Sequence, residues 1–562
     1  MNENLALRVF GIPELAKIIC DLAQKCDNAK LLRVCHQLFQ DVRPYVWEST
    51  DAVVSLIEMI PTSRVDRSID EPFCPYVTLR FPTFLDFSRL NIYGPYIKRL
   101  HIPLIITVDE YHNWGSFLVS IQNADLLPNL EHLKLDIPSG LRKERIGVDR
   151  LNWMTTFMTA SLQSVQILQD MPFDLFATHF NFSDSCVSLE TTINILLDLS
   201  RKSPRLQDLA FFPQENFTQR FECPTHLIRK VGNIYPELIA ALDHSSISSI
   251  HLTSMLLSRL HYLRKLTVTS FVLELKVFST LSRLPYLESL SIRDITGIPP
   301  LYNARSELIA HLSEYSFPSL KNLHLFGLTW ETCINLCKVE PLAKALRSTH
   351  PPVCYIPEHN QLLEFLNILV DHSSPITKLS LVVYRNNLID EILSKKVLCS
   401  LHITHLTIAH LCRRGQILNW LSLLHEVPAL ESLRITNKHH AQALKLGELR
   451  LFATLLPRLT QLLTPLDFST VLHLEDQDYT LTHLQSSSPF NLEVYYTPWH
   501  LNRGQLPETE FKLSVYVDDI ARYLTMLWPK IGCTARRSKG DRVFEPPSDL
   551  NLLNDAIARY QV

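Results

Sequence analysis

Cys333, Cys337, His350 and Cys354 spell C-x3-C-x12-H-x3-C. That is close to zinc-site spacing, in which thiolates and an imidazole converge on one cation at tetrahedral geometry. The surrounding phrase "WETCINLCKVEPLAKALRST" nevertheless reads as a helix with both cysteines on one face, and Pro351-Pro352 interrupts before Cys354. Core cysteines beside a loop histidine are the simpler reading, so no metal and no other cofactor is expected. His402 and His405 in a predicted strand, and His439-His440 after another, could present imidazoles to a metal, but satisfied or exposed histidines explain them more simply. Arg536, Arg537, Lys539 and Arg542 form a basic cluster readable as an import signal, a basic patch or a solvated tail. The sequence holds no Walker A loop, G-x-G-x-x-G, G-x-S-x-G or HExxH. No enzyme is expected.

The bulk numbers narrow the class. At 562 residues the chain exceeds one ordinary core, so it should hold several domains or one extended repeat array. Its 46% hydrophobic and 20% charged residues are globular rather than disordered composition. With 54 basic against 57 acidic residues, no bulk electrostatic attraction to nucleic acid is expected. "MNENLALRVFGIPELAK" lacks the basic start and smooth apolar run of a secretory signal, and stretches such as "IPLIITV" are far short of the ~20 residues a membrane span needs. Twelve scattered cysteines suit a reduced compartment, cytoplasmic and/or nuclear, which makes the sequons at Asn181 and Asn216 coincidental.

The elements that must position any site come from one recurring phrase. "LPNLEHLKL", "LPYLESLSI", "FPSLKNLHL", "VPALESLRI" and "LPRLTQLLT" share a proline two places before an apolar residue, with further apolar residues three and five places on. The pattern φ-x-x-φ-x-φ starts at Ile97, Leu130, Leu162, Leu206, Leu263, Leu287, Leu320, Ile376, Ile403, Leu430 and Leu459, with a weaker match at Ile247. Alternation over its last positions predicts a strand. Between strands the period turns helical: Ile417, Trp420, Leu421 and Leu424 fall on one helix face before Pro428 stops it. Such units bury neither face alone and must stack. The array is similar to a leucine-rich-repeat solenoid, although several intervals exceed the ~20–29 residues of that repeat and require insertions or a degenerate repeat in the gap. A compact α/β domain is the alternative.

Residues before about 61 depart from the ladder. Leu15, Ile19 and Leu22 form one stripe; Leu31, Val34, Cys35, Leu38 and Val42 another; Val53, Leu56, Ile57 and Ile60 a third, closed by Pro61. They predict three amphipathic helices, too small to bury a good core without a partner surface. The Ile-Pro-Glu-Leu opening, Val34-Cys35, Pro44, Trp47 and "STDAVVSLIEMIP" together resemble the F-box, in the form found in F-box-like proteins of mushroom-forming fungi that carry leucine-rich repeats. "FSRLNIYGPYIKRLHI" is similar to the stretch that opens the repeats in those proteins. The resemblance implies that Pro13, Leu15, Ile18, Val34, Cys35, Phe39 and Trp47 form the helical platform or meet a Skp-family adaptor, with a cullin beyond it. A plain helical cap over the first repeat remains the alternative.

The expected organisation is an α/β leucine-rich-repeat solenoid, horseshoe-like and irregular, behind an all-α F-box-like domain. The F-box-like helices would span 10–61 and a linker 62–75. The array would span 76–535, with a notable insertion at 328–375, and a tail with a short helix would fill 536–562. Residues between the last two φ positions should leave the core toward the inner face, where a protein substrate would bind: Lys134, Gln166, Ala210, Thr267, Ser291, His324, Ser380, Thr407 and Arg434. They are mixed and mostly polar, with no charge stripe. The expected function is substrate recognition for a Skp–cullin–F-box ubiquitin ligase. The alternative is a non-degradative scaffold whose first helices only cap the repeats.

Overall fold

A computed structural model describes residues 5–51, 53–68, 76–102, 107–121, 125–136, 155–168, 189–212, 225–236, 248–293, 312–313, 315–350, 361–383, 397–410, 424–437, 444–468, 489–495, 513–536 and 548–561. They fall into two compact units. One reaches through Arg293 and takes in residues 316–319; the other is built mainly from Leu320 onward.

The first unit opens with helices α1 (Leu5–Phe10), α2 (Pro13–Leu22), α3 (Lys25–Leu31) and α4 (His36–Trp47), then strand β1 (Ser49–Thr50) and helix α5 (Val53–Glu58). Strands β2 (Arg64–Ser68), β3 (Tyr76–Arg80), β4 (Arg99–Ile102), β5 (Thr107–His112), β6 (His132–Asp136), β7 (Ser164–Leu168), β8 (Asp208–Ala210), β9 (Lys265–Thr269) and β10 (Ser289–Arg293) follow. Its main sheet is parallel throughout, in the order β1-β4-β6-β7-β8-β9-β10. A side sheet pairs β2 antiparallel and β5 parallel with β3. Residues 64–68, expected in a linker, are therefore a strand, paired antiparallel with "YVTLR".

The second unit contributes β11 (Asn322–Phe326), β12 (Ser348–His350), β13 (Lys378–Val383), β14 (His405–His410), β15 (Ser432–Asn437), β16 (Leu444–Lys445), β17 (Gln461–Thr464), β18 (Leu466–Asp467), β19 (Phe490–Tyr495) and β20 (Ile531–Arg536). Here the parallel order is β11-β12-β13-β14-β15-β17-β19-β20, with β16 and β18 a separate pair. Helices such as Leu189–Lys202, Ser249–Ser258, Gln361–Asp371 and Leu513–Leu527 flank the sheets. Each unit is thus a parallel sheet with flanking helices, the arrangement of a leucine-rich-repeat-like stack.

The recurring phrase is a corner. The N–H of the first φ residue donates to the carbonyl three residues back: Leu130 to Leu127 at 3.0 Å, Leu263 to Leu260 at 3.1 Å, Leu430 to Val427 at 3.1 Å, Leu459 to Leu456 at 3.0 Å. In "LPNL", "VPAL" and "LPRL" the proline is the second residue of that turn, where its locked φ is already correct. The next two N–H groups then share one carbonyl of the preceding repeat. Glu131 and His132 donate to Lys98, Gln163 and Ser164 to Glu131, and Arg264 and Lys265 to Gln207. A side-chain rung joins them: Asn129 donates to the Pro95 carbonyl at 2.8 Å, and Ser319 to that of Pro285 at 2.6 Å.

All eleven first-φ residues of the ladder are at most 1% exposed. In the weak match that begins at Ile247, residues 249–252 are helical rather than extended, and Ser248 caps helix Ser249–Ser258 by accepting from the His251 N–H. Residues 328–375 hold a further repeat rather than an insertion. Helix Trp330–Cys337, strand β12 and helix Gln361–Asp371 succeed one another there. The pattern hid β12 because Thr349, fully buried, stands where a second φ would be, three residues after buried Leu346. β19 and β20 were missed similarly: by register, Pro489 and Lys530 occupy their first φ positions. Residues 536–562, expected as a tail with a short helix, hold one at Ser548–Tyr560. Helix Ser548–Tyr560 buries Leu553, Ala556 and Ile557, and Asn554 both accepts from the Cys533 N–H and donates to its carbonyl. Its apolar face needs cover, which a solvated tail would not give.

Candidate protein-interaction surfaces

The N-terminal helices build a small core from Cys20, Leu38, Val42 and Val46, with Leu7, Phe10, Leu31 and Tyr45 against it. α2 gives that core only Ala16 and Cys20. The neighbouring stripe of the same helix faces solvent, with Leu15 40%, Ile18 56% and Leu22 83% exposed, flanked by Ile12 at 46%. The expected second stripe is broken. α3 ends at Leu31, and α4 begins only at His36, so Val34 (67% exposed) and Cys35 sit in the bend between two helices. Pro13 opens α2 and is exposed, its carbonyl accepting the Tyr45 hydroxyl at 2.8 Å. Burial first, then the nearby Cys20, Glu14, Asp21 and Asp41, raise the Tyr45 phenol, which keeps it the donor.

Phe39 and Trp47 take the other role. Their rings pack on Tyr93, at 6.4 and 4.9 Å between centroids. The Arg43 guanidinium lies 5.1 Å from the Phe39 centroid and 4.5 Å from that of Tyr96, and donates to the Tyr96 hydroxyl at 2.6 Å. Of the seven residues assigned to adaptor docking, Pro13, Leu15, Ile18, Val34 and Cys35 are exposed, while Phe39 and Trp47 are half-buried at the junction with the first repeat. That junction continues through the backbone: Lys98 and Arg99 N–H both donate to the Glu48 carbonyl at 2.9 Å, and β1 pairs with β4. Sequence reading had no signal for it, since "ST" is too short to announce a strand.

The inner row is brought into register as alternation requires. In the first unit, Lys134, Gln166, Ala210, Thr267 and Ser291 pair successively across β6 to β10. In the second, Ser380, Thr407 and Arg434 do so across β13 to β15, while His324 pairs with His350. Lys134, Thr267, His324, Thr407 and Arg434 keep partial exposure. Ala210, Ser291 and Ser380 do not, at 2%, 6% and 4%. Strands about 4.8 Å apart place these short side chains in the shade of longer neighbours. Two residues on from Ser291, Arg293 lies over the Phe212 ring at 5.8 Å, and burial pushes its guanidinium down to about 10.

Cys333 and Cys337 are fully buried in helix Trp330–Cys337, and burial lifts both thiols, Cys337 to about 12. Neutral thiols in an apolar interior are poor zinc ligands. Among the described residues no group of three or more His, Cys, Asp or Glu is gathered as a metal site. His405 is half-buried and its Nδ1 lies 2.8 Å from the Thr404 hydroxyl; burial, then the Lys378 charge, lower its pKa. His402 is exposed. Arg536 ends β20. Cys354, His439, His440, Arg537, Lys539, Arg542, Ile417, Trp420, Leu421, Asn181 and Asn216 lie outside the described residues. Among the described residues no helix is long and apolar enough to cross a membrane.

No protein-family model matches the chain, and no curated protein matches it. Among solved structures, the crystal structure of the TLR13–ssRNA13 complex is similar at 14% identity, over 83% of this chain and 71% of that one, with a TM-score of 0.26. A likeness at that score carries nothing about function.

Proposed function

We propose that this chain is the substrate-recognition subunit of a Skp–cullin–F-box ubiquitin ligase, docking its adaptor through the N-terminal helices and a protein substrate through the repeats. The observation that carries the reading is the misplaced stripe of α2. Leu15, Ile18 and Leu22 form an apolar helix face turned to solvent, and Val34 is exposed in the α3–α4 bend. Taking such a side chain from full exposure to full burial is worth about 1.5–3 kcal/mol, so a partner covering the part that remains in water would recover a share of it. Leu15, Ile18 and Val34 are among the positions that the F-box resemblance gives to the helical platform or the adaptor. The chain itself would do no bond chemistry; it would hold a substrate beside a charged ubiquitin carrier and raise its effective concentration.

Co-purification with a Skp-family adaptor tests this. Leu15→Asp with Val34→Asp changes exposed positions only, so the variant should melt as the parent does and lose at least tenfold in adaptor recovery. Equal recovery would end the proposal.

A second reading has its own support. The Trp47–Tyr93 contact and the β1–β4 pairing make the helices a cover for the first repeat, as a scaffold's cap would be. A cap explains the junction but leaves the outer face of α2 without a purpose.

A further inference from the structure

The corners of β8, β9 and β10 gather exposed aromatic and basic side chains. Asp208, Lys265 and Ser289 are in register. Three residues earlier in each repeat stand Arg205, Tyr262 and Tyr286, so these occupy one row of neighbouring corners, with strands about 4.8 Å apart. The two tyrosine rings stack parallel, 6° between planes and 6.1 Å between centroids, yet stay 54% and 49% exposed. In three other repeats this position carries a small donor that reaches back to the previous repeat: Asn129, Ser161 and Ser319. Tyrosine gives up that rung and shows a ring to water.

Around the pair, Arg205, Arg264, Lys265 and Arg283 are all exposed. Glu288 offsets one of them, 3.4 Å from Arg264 in a solvent-screened contact. Cations near helix C-termini complement the helix dipole, which accounts for Arg283 and for Arg259 one repeat before it. It does not account for Arg205 or Lys265, which lie beyond the helices, nor for the rings.

We propose that this corner row docks an extended acidic segment of another protein in which a ring or apolar residue interrupts the acids. Guanidinium groups take carboxylates in bidentate fashion, and exposed tyrosine faces take proline-type rings between them. The surface serves such a partner whether or not the chain works in a ligase.

Fluorescence anisotropy on the full chain tests it, with a labelled 12-residue peptide of repeating Glu-Glu-Pro, its Gln-Gln-Pro counterpart and a 12-nucleotide oligo(dT). The acidic peptide should bind, at least tenfold more tightly than the glutamine peptide, and weaken with added salt. Arg205→Gln, Lys265→Gln and Arg283→Gln together should cost at least tenfold with an unchanged melt, and Tyr262→Ser with Tyr286→Ser should weaken binding while sparing its salt dependence. Should the triple variant melt early, Arg205→Gln alone decides by a threefold or greater loss. Absence of binding, equal binding by these variants, or tighter binding of oligo(dT) would each overturn the proposal, the last in favour of a nucleic-acid surface.

Discussion

Leu15 and Leu287 both follow a proline by two residues, in "PEL" and "PYL", and they end up on opposite sides of the solvent boundary. Leu287 is 0% exposed and Leu15 is 40% exposed. Pro285 stands in a corner, where the chain leaves a helix and enters β10. Pro13 opens helix α2, a position where its missing N–H costs nothing. After the corner, the leucine falls between sheet and helices whichever repeat it belongs to. After the helix start, its fate depends on which face α2 turns toward α4, and that face is the one with Ala16 and Cys20. The same three-residue phrase is therefore structural in the array and surface-forming in the N-terminal helices.

Truncation should separate the two most sharply. Leu287→Ala should cost about 2–5 kcal/mol, as cavities in packed cores do, whereas Leu15→Ala should stay within about 0.5 kcal/mol. Urea unfolding of the two variants side by side checks this, and equal costs would erase the distinction. Raising pH should also discriminate. Cys337 and Cys533 are lifted from the ordinary 9.0 to about 12 by burial, so the unfolded chain loses their protons first. Their stabilising contribution is complete below about pH 9 and is lost as pH climbs toward 12. Urea midpoints should fall over that window, and fall less in Cys337→Ala and Cys533→Ala. The smallest effect belongs to the corner rungs: Asn129→Ala should cost about 1 kcal/mol, read as a shift in melting temperature.

Much of the array was legible in the letters. Leu130, Leu162, Leu206, Leu263 and their kin announce buried positions because every repeat places them at the same point of the same turn, so local pattern and tertiary burial coincide. Where they part, reading fails for identifiable reasons. Thr349 fills a φ position with a residue not counted as apolar, and β12 vanished into a supposed insertion. Ser248 diverted "ISSIHL" into a helix through one capping bond. In the candidate adaptor face, residue types alone could not sort Phe39 and Trp47 from Leu15 and Val34. The sorting depends on Tyr93 and Tyr96, some fifty residues away along the chain. The tyrosine row was invisible too, since Tyr262 and Tyr286 become neighbours only when β9 and β10 pair.

The sequence by itself determined the repeating corner and the identity of its buried leucines, because proline geometry and period-two alternation act within a few residues and need no knowledge of the rest. Only the tertiary structure decided which face of α2 stayed wet, that "ST" would begin the sheet, and which side chains from separate repeats would stand together. Those outcomes rest on contacts between segments far apart along the chain, where many pairings satisfy the local rules and packing selects one.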